Sequence, residues 1–119
     1  MNKNATPVAM NIDPAAMRGH ASDAAQLLKA LANEKRLMIL CLLAEGERTV
    51  GELNALLDLS QSALSQHLAL LREEDLVQTR REAQSIHYSL TPGPAFELIH
   101  TLHGIYCAPR KPAGKRTGK

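Results

Sequence analysis

Apolar residues recur at helical spacing along most of the chain and switch to alternation once, between residues 76 and 90. Thr49-Val50-Gly51-Glu52 has the form of a capping box, a hydroxyl at the N-cap with a carboxylate three residues on. It predicts a short helix with Val50, Leu53, Leu56 and Leu57 on one face. Asp58-Leu59 interrupts that helix, and Ser60 caps another that runs to about Glu73. On it Leu64, Leu68 and Leu71 fall at i, i+4, i+7 and must face a core. The opposite face holds Gln61, Ser62, Ser65, Gln66, Ala69 and Arg72. Small and amide side chains with almost no acid can approach base edges and phosphates closely. His67 lies between the two faces and is assigned to neither.

Leu76-Val77-Gln78-Thr79-Arg80-Arg81 and Ser85-Ile86-His87-Tyr88-Ser89-Leu90 are rich in β-branched or aromatic residues and alternate apolar with polar. They predict a β-hairpin with Glu82-Ala83-Gln84 at its tip. On periodicity alone the helix pair fits an ordinary αα-hairpin as well as a DNA-reading unit. The hairpin and the amide face favour the second, because arginines near a tip beside a reading helix suit phosphates or a minor groove. Candidate DNA contacts are therefore Ser60, Gln61, Ser62, Ser65, Gln66 and Arg72 from the helix, and Arg80, Arg81 and Gln84 from the hairpin. Gln66 is expected to read a base, while the arginines mainly meet phosphates.

Three further helices flank this unit. Asp13-Pro14 is an N-cap followed by proline at the first helical position, and Met17, Ala21, Ala24, Leu28 and Leu31 then repeat at 4-3-4-3 spacing. Asn33 caps a second helix ending near Glu45-Gly46, and its stretch from Leu37 to Ala44 is apolar all round, which places it centrally. After Thr91-Pro92-Gly93-Pro94 a last helix runs to about Cys107 with Phe96, Ile99, Leu102, His103 and Tyr106 on one side. Neither terminal helix can hide its apolar stripe on so small a domain. A two-fold homodimer joined through the first and last helices is the expected solution, with Met17, Ala21, Ala24, Leu28, Phe96, Ile99, His103 and Tyr106 at the interface. Two reading helices would then face successive major grooves of double-stranded operator DNA at an inverted repeat. The predicted fold is mainly α with a β-hairpin wing, a winged helix-turn-helix over residues 13–107.

At 119 residues the chain is one small domain, and its single Phe and lack of Trp make the core aliphatic. No apolar run approaches membrane-spanning length and no signal peptide opens the chain, so a cytoplasmic location without membrane contact is expected. Net charge is +2, but the tail at 108–119 holds five Lys and Arg with no acid. Without those five, nine bases face twelve acids, so the remainder is near −3 and bulk charge does not argue for nucleic acid. The tail is expected to be disordered, either simply solvated or weakly attracted to phosphate. Residues 1–12 carry no pattern and are expected to be flexible.

Leu31-Ala32-Asn33-Glu34-Lys35-Arg36-Leu37 and Ser60-Gln61-Ser62-Ala63-Leu64-Ser65-Gln66-His67-Leu68-Ala69-Leu70-Leu71-Arg72 resemble the ArsR/SmtB family of bacterial winged-helix repressors, with order and spacing intact over roughly residues 24–107. That family's metal sensors commonly place two thiolates where this chain has Thr49 and Gly51, and neither side chain binds a soft metal. At a second family metal site this chain carries Pro92, Pro94, Ile105 and Ala108. No metal and no cofactor is therefore expected. A His100, His103 and Cys107 cluster could hold zinc by ligand type, but His103 is read on the apolar seam with His100 pointing away.

Cys41 and Cys107 are the only cysteines, 66 residues apart and without a C-x-x-C motif. By itself Cys41 reads as a small hydrophobe in a leucine-rich helix, whereas Cys107 ends a helix beside Pro109 and is expected to be accessible. Within the family the chain is most similar to the group containing BigR, SqrR, YgaV and HlyU. The resemblance implies that Cys41 and Cys107 approach each other and respond to persulfides and other oxidants. Reactive sulfur species or an oxidant would then be the inducer. A sulfur-handling enzyme is the rival reading, and with no base evident near Cys41 and no nucleophile motif, the chain reads as a regulator rather than an enzyme. A metal-responsive repressor and a regulator with inert thiols remain the alternatives.

Overall fold

The computed structural model describes residues 11–107, so the basic tail and nearly all of the expected flexible N-terminus lie outside the described residues. Helix α1 (Pro14–Leu31) starts at Asp13, whose carboxylate accepts from the Ala15 amide at 3.2 Å. Helix α2 (Glu34–Glu45) starts at Asn33, which accepts from the Arg36 amide at 3.0 Å. Arg36 in turn donates from Nε to the Ala30 carbonyl at 2.7 Å and from Nη2 to the Lys29 carbonyl at 3.3 Å. A cation thus closes the negative end of α1 and ties it to α2.

Helix α3 (Val50–Leu56) carries the capping box in full. The Glu52 amide donates to Thr49 Oγ1 at 3.1 Å and the Thr49 amide to Glu52 Oε1 at 2.8 Å. Replacing Thr49 by Ala should cost about 0.5–2 kcal/mol of stability, read by denaturant unfolding, because it leaves an amide of the first turn without its acceptor. Asn54 Nδ2 donates to the Leu59 carbonyl at 2.9 Å and holds the turn before helix α4 (Gln61–Glu73), where Ser60 accepts from the Ala63 amide at 3.1 Å. The end of α4 is a Schellman closure. Leu76 and Asp75 amides reach the Leu71 and Arg72 carbonyls, with Asp75 at φ 64° in the position that usually takes glycine.

Strands β2 (Val77–Glu82) and β3 (Ser85–Leu90) form the expected hairpin, but Glu82 still pairs with Ser85, so the loop is only Ala83 and Gln84. Ala83 takes φ 56°, the left-handed value that two-residue hairpin loops require. A strand absent from the sequence reading, β1 (Arg48–Thr49), pairs antiparallel with β3, giving the order β1-β3-β2. Helix α5 (Pro94–Tyr106) follows.

Leu64, Leu68 and Leu71 of α4 point into the core as their spacing demands, against Ile39, Leu40 and Leu43 of α2, with Leu53 and Leu57 from the α3 end. Leu90 and Val77 close the core from the sheet, and Ala95 and Ile99 from α5. Three helix faces differ from the sequence reading, and on α3 it is Leu56, read on the apolar face with Leu53 and Leu57, that is 55% exposed. Ile99, expected at the dimer interface, is 1% exposed within the chain's own core. The buried side of α5 is Ala95 and Ile99, with Leu98 packed beside them, so the helix is rotated relative to the expected stripe. On α2, Met38 remains exposed although the helix is otherwise central.

Candidate nucleic-acid interface and thiol cleft

Ser60, Gln61, Ser62, Ser65, Gln66 and Arg72 are all exposed on α4, on the side away from its three buried leucines. Ser60 Oγ caps the helix and lies 3.4 Å from Ser62 Oγ, so its role is partly structural. His67 is half-buried between the faces. Burial, and secondarily the Arg36 charge, push its pKa down, which keeps the imidazole neutral at pH 7.

Arg80, Arg81 and Gln84 are exposed on the wing. Arg80, however, is already engaged. Its Nε donates to both carboxylate oxygens of Glu47, at 3.0 and 2.8 Å, and its Nη1 donates to Glu82 Oε1 at 3.1 Å. These contacts hold the guanidinium firmly charged and draw the Glu47 carboxyl below its usual range. β1 makes the arrangement possible, since Thr49, His87 and Arg80 are successive cross-strand partners and bring Glu47 over the wing. The carboxylates escaped the sequence reading because Glu47 and Arg80 are 33 residues apart and a two-residue strand leaves no periodic trace.

The first and last helices carry exposed apolar surface. Met17, Ala21, Ala24 and Leu28 line α1 in the open, Met17 at 41% and Leu28 at 55% exposure. On α5, Phe96, His103 and Tyr106 are exposed, Tyr106 at 76%. Ile105 adds to this surface.

Cys41 is half-buried on α2, and Cys107 is exposed at the C-cap of α5. Both thiols are free. Cys41 lines a cleft of about 150 Å³ with Ala44, Glu45, Phe96, Ile99, His100 and His103. His100, read from the sequence as pointing away from the apolar seam, lines this same cleft and stacks on Phe96 with ring centres 6.1 Å apart. Burial raises the Cys41 pKa first, and the charges of Cys107 and Glu45 raise it further. Glu45 is itself held by Arg48 Nη2 at 2.7 Å, while Arg48 Nε caps the Leu42 carbonyl at 3.3 Å. Among the described residues, no group of three or more His, Cys, Asp or Glu is placed to hold a metal ion. Nor is any described helix long and apolar enough to cross a membrane.

Residues 33–79 match the model of the family described as bacterial regulatory protein, arsR family. The transcriptional activator HlyU of Vibrio cholerae is 53% identical over 91 residues, covering 76% of this chain and 84% of HlyU. The chain belongs to the ArsR family. The biofilm growth-associated repressor of Agrobacterium fabrum is 51% identical over 96 residues, covering 81% of this chain and 82% of its own length. The structure of reduced HlyU from Vibrio cholerae superposes with a TM-score of 0.75 at 52% identity, covering 77% of this chain and 97% of that one. As an ArsR-family protein the chain is a DNA-binding transcriptional regulator with a winged helix-turn-helix, not an enzyme.

Proposed function

We propose that this regulator is a cytoplasmic repressor that holds operator DNA as a two-fold dimer while its thiols are reduced, and releases it when Cys41 and Cys107 become linked. The observation that carries this reading is placement: Cys41 on α2 lines a cleft whose other wall is Phe96, Ile99, His100 and His103 of α5, and Cys107 ends that same helix with its thiol free and exposed. The exposed apolar surfaces of α1 and α5 support the dimer, since a second copy would cover what a single chain leaves in water. That the Vibrio cholerae HlyU structure is of a reduced form is in keeping with a redox-dependent regulator.

The chemistry divides between the two sulfurs. Cys107 is the accessible nucleophile, so its thiolate attacks the sulfane sulfur of a persulfide RS–SH, releases RS⁻ and becomes Cys107–S–SH. The Cys41 thiolate then attacks Cys107 Sγ, expels hydrosulfide and leaves a disulfide. If Cys41 has itself taken a sulfur first, the same attack leaves a trisulfide. Either bridge ties the end of α5 to α2 and biases the dimer geometry.

Because the fold pushes the Cys41 thiol up, Cys41 is mainly neutral at pH 7, and bridge closure should accelerate as pH rises through and beyond the ordinary thiol value of about 8.5. The same sign means that any stability gained by keeping this thiol neutral is present below that value and lost above it. Intact-mass measurement after treatment with a persulfide donor tests the reading. The expected product is a monomer mass lower by two hydrogens, or that mass raised by whole sulfur atoms; an unchanged mass contradicts it.

A further inference from the structure

We propose that Glu47 and Glu82 form an autoinhibitory clamp on Arg80, withholding a wing arginine from DNA and setting how tightly the regulator binds. This rests on the reading that the wing meets the DNA backbone.

Arg80 sits mid-wing on an exposed sheet face, where a guanidinium would otherwise be free to pair with phosphate. Instead, Glu47 takes Nε with both oxygens and Glu82 takes Nη1, all between 2.8 and 3.1 Å. Two carboxylates around one guanidinium leave the cluster at a formal charge of −1. His87, the cross-strand partner of Arg80, places Nε2 at 3.7 Å from Glu82 Oε1 and so lies against the same group. A phosphate approaching this face meets net negative charge and must compete with carboxylates already in place. Arg81, next along the strand on the opposite face, has no carboxylate clamp of this kind among the interactions described.

Nothing in the fold requires Glu47 as an anchor. It is exposed, outside the core, and β1 is held by its ladder to β3 and by the Thr49 cap. Exposed pairs of this kind exchange partners readily, so the clamp tunes the affinity rather than blocking it.

DNA affinity measured against salt for Glu47→Gln, Arg80→Ala, the double variant and Arg81→Ala separates the possibilities. Glu47→Gln should bind about threefold to tenfold more tightly at low salt, with a salt slope steeper by about one. Arg80→Ala should weaken binding in the native background, because it leaves Glu47 and Glu82 at a formal charge of −2, and should remove the gain that Glu47→Gln makes over the native protein. That second arm distinguishes release of Arg80 from mere removal of an acid, which would tighten binding whether or not Arg80 is present. Glu82→Gln should shift binding in the same direction by less, since Glu47 keeps Nε. Unchanged or weaker binding by Glu47→Gln, or a gain that persists without Arg80, overturns the clamp. Arg81→Ala should lower the slope by about one; if it does not, the wing reading itself fails.

Discussion

Leu68→Ala should lower the free energy of unfolding by about 2–5 kcal/mol, whereas Gln66→Ala, two residues away, should leave it within about 0.5 kcal/mol. The contrast follows from the two faces of α4. Leu68 is 1% exposed between Leu64 and Leu71, and truncating it leaves a cavity under the helix that presents the exposed polar face. Since a domain of this kind is stable by only about 5–15 kcal/mol, that is a large fraction of the whole. DNA binding should separate the variants in the opposite sense. Gln66→Ala should cost about 1–3 kcal/mol on the specific site and little on random DNA, as expected of an amide reading a base edge. Leu68→Ala should weaken both sequences alike. Denaturant unfolding beside DNA titration measures the pair, and an equal loss on both sequences for Gln66→Ala would reduce it to a positioning contact.

The second large effect concerns the thiols. Cys41→Ser and Cys107→Ser should both bind DNA when reduced, because neither residue lies on the exposed polar face of α4. Cys41→Ser should lose some stability, since a hydroxyl replaces a thiol among Ala44, Phe96 and Ile99. Cys107→Ser, at an exposed helix end, should lose little. Under a persulfide donor the native protein should lose roughly 5–150-fold in affinity, the usual range of coupling between two sites, and neither variant should respond fully. Zinc should have no such effect, and His100 or His103 substitutions should not abolish the persulfide response.

Local chemistry made most of the fold legible. Asp13, Asn33, Thr49 and Ser60 all cap the helices that their side-chain chemistry marks, because a cap depends on residues two or three positions away. The leucine spacing of α4 oriented that helix, with Leu64, Leu68 and Leu71 inward, for the same reason. What escaped depends on distant partners. β1 exists only because β3 lies beside Arg48 and Thr49, and with it comes the reach of Glu47 to Arg80. The face of α5 was misplaced because the helix is apolar on more than one side. Phe96, Ile99 and Leu102 satisfy a helical stripe, yet the chain buries Ile99 in its own core with Ala95, while Phe96 stays exposed as an interface residue would. His100 was assigned by that same stripe, and turning the helix brings it to the cleft with Phe96 and Cys41. The cysteines are the opposite case. Their spacing of 66 residues carries no geometric information, and the expectation that they approach each other came from family resemblance.

The most direct test is intact mass recorded beside a titration of DNA from the regulator's own promoter region, on reduced and persulfide-treated protein from one preparation. The thiol-switch account predicts that the treated chain carries one intramolecular Cys41–Cys107 link, that DNA affinity falls in proportion to the linked fraction, and that reduction restores both. A chain that releases DNA without the link, or forms the link and keeps its DNA, would contradict it.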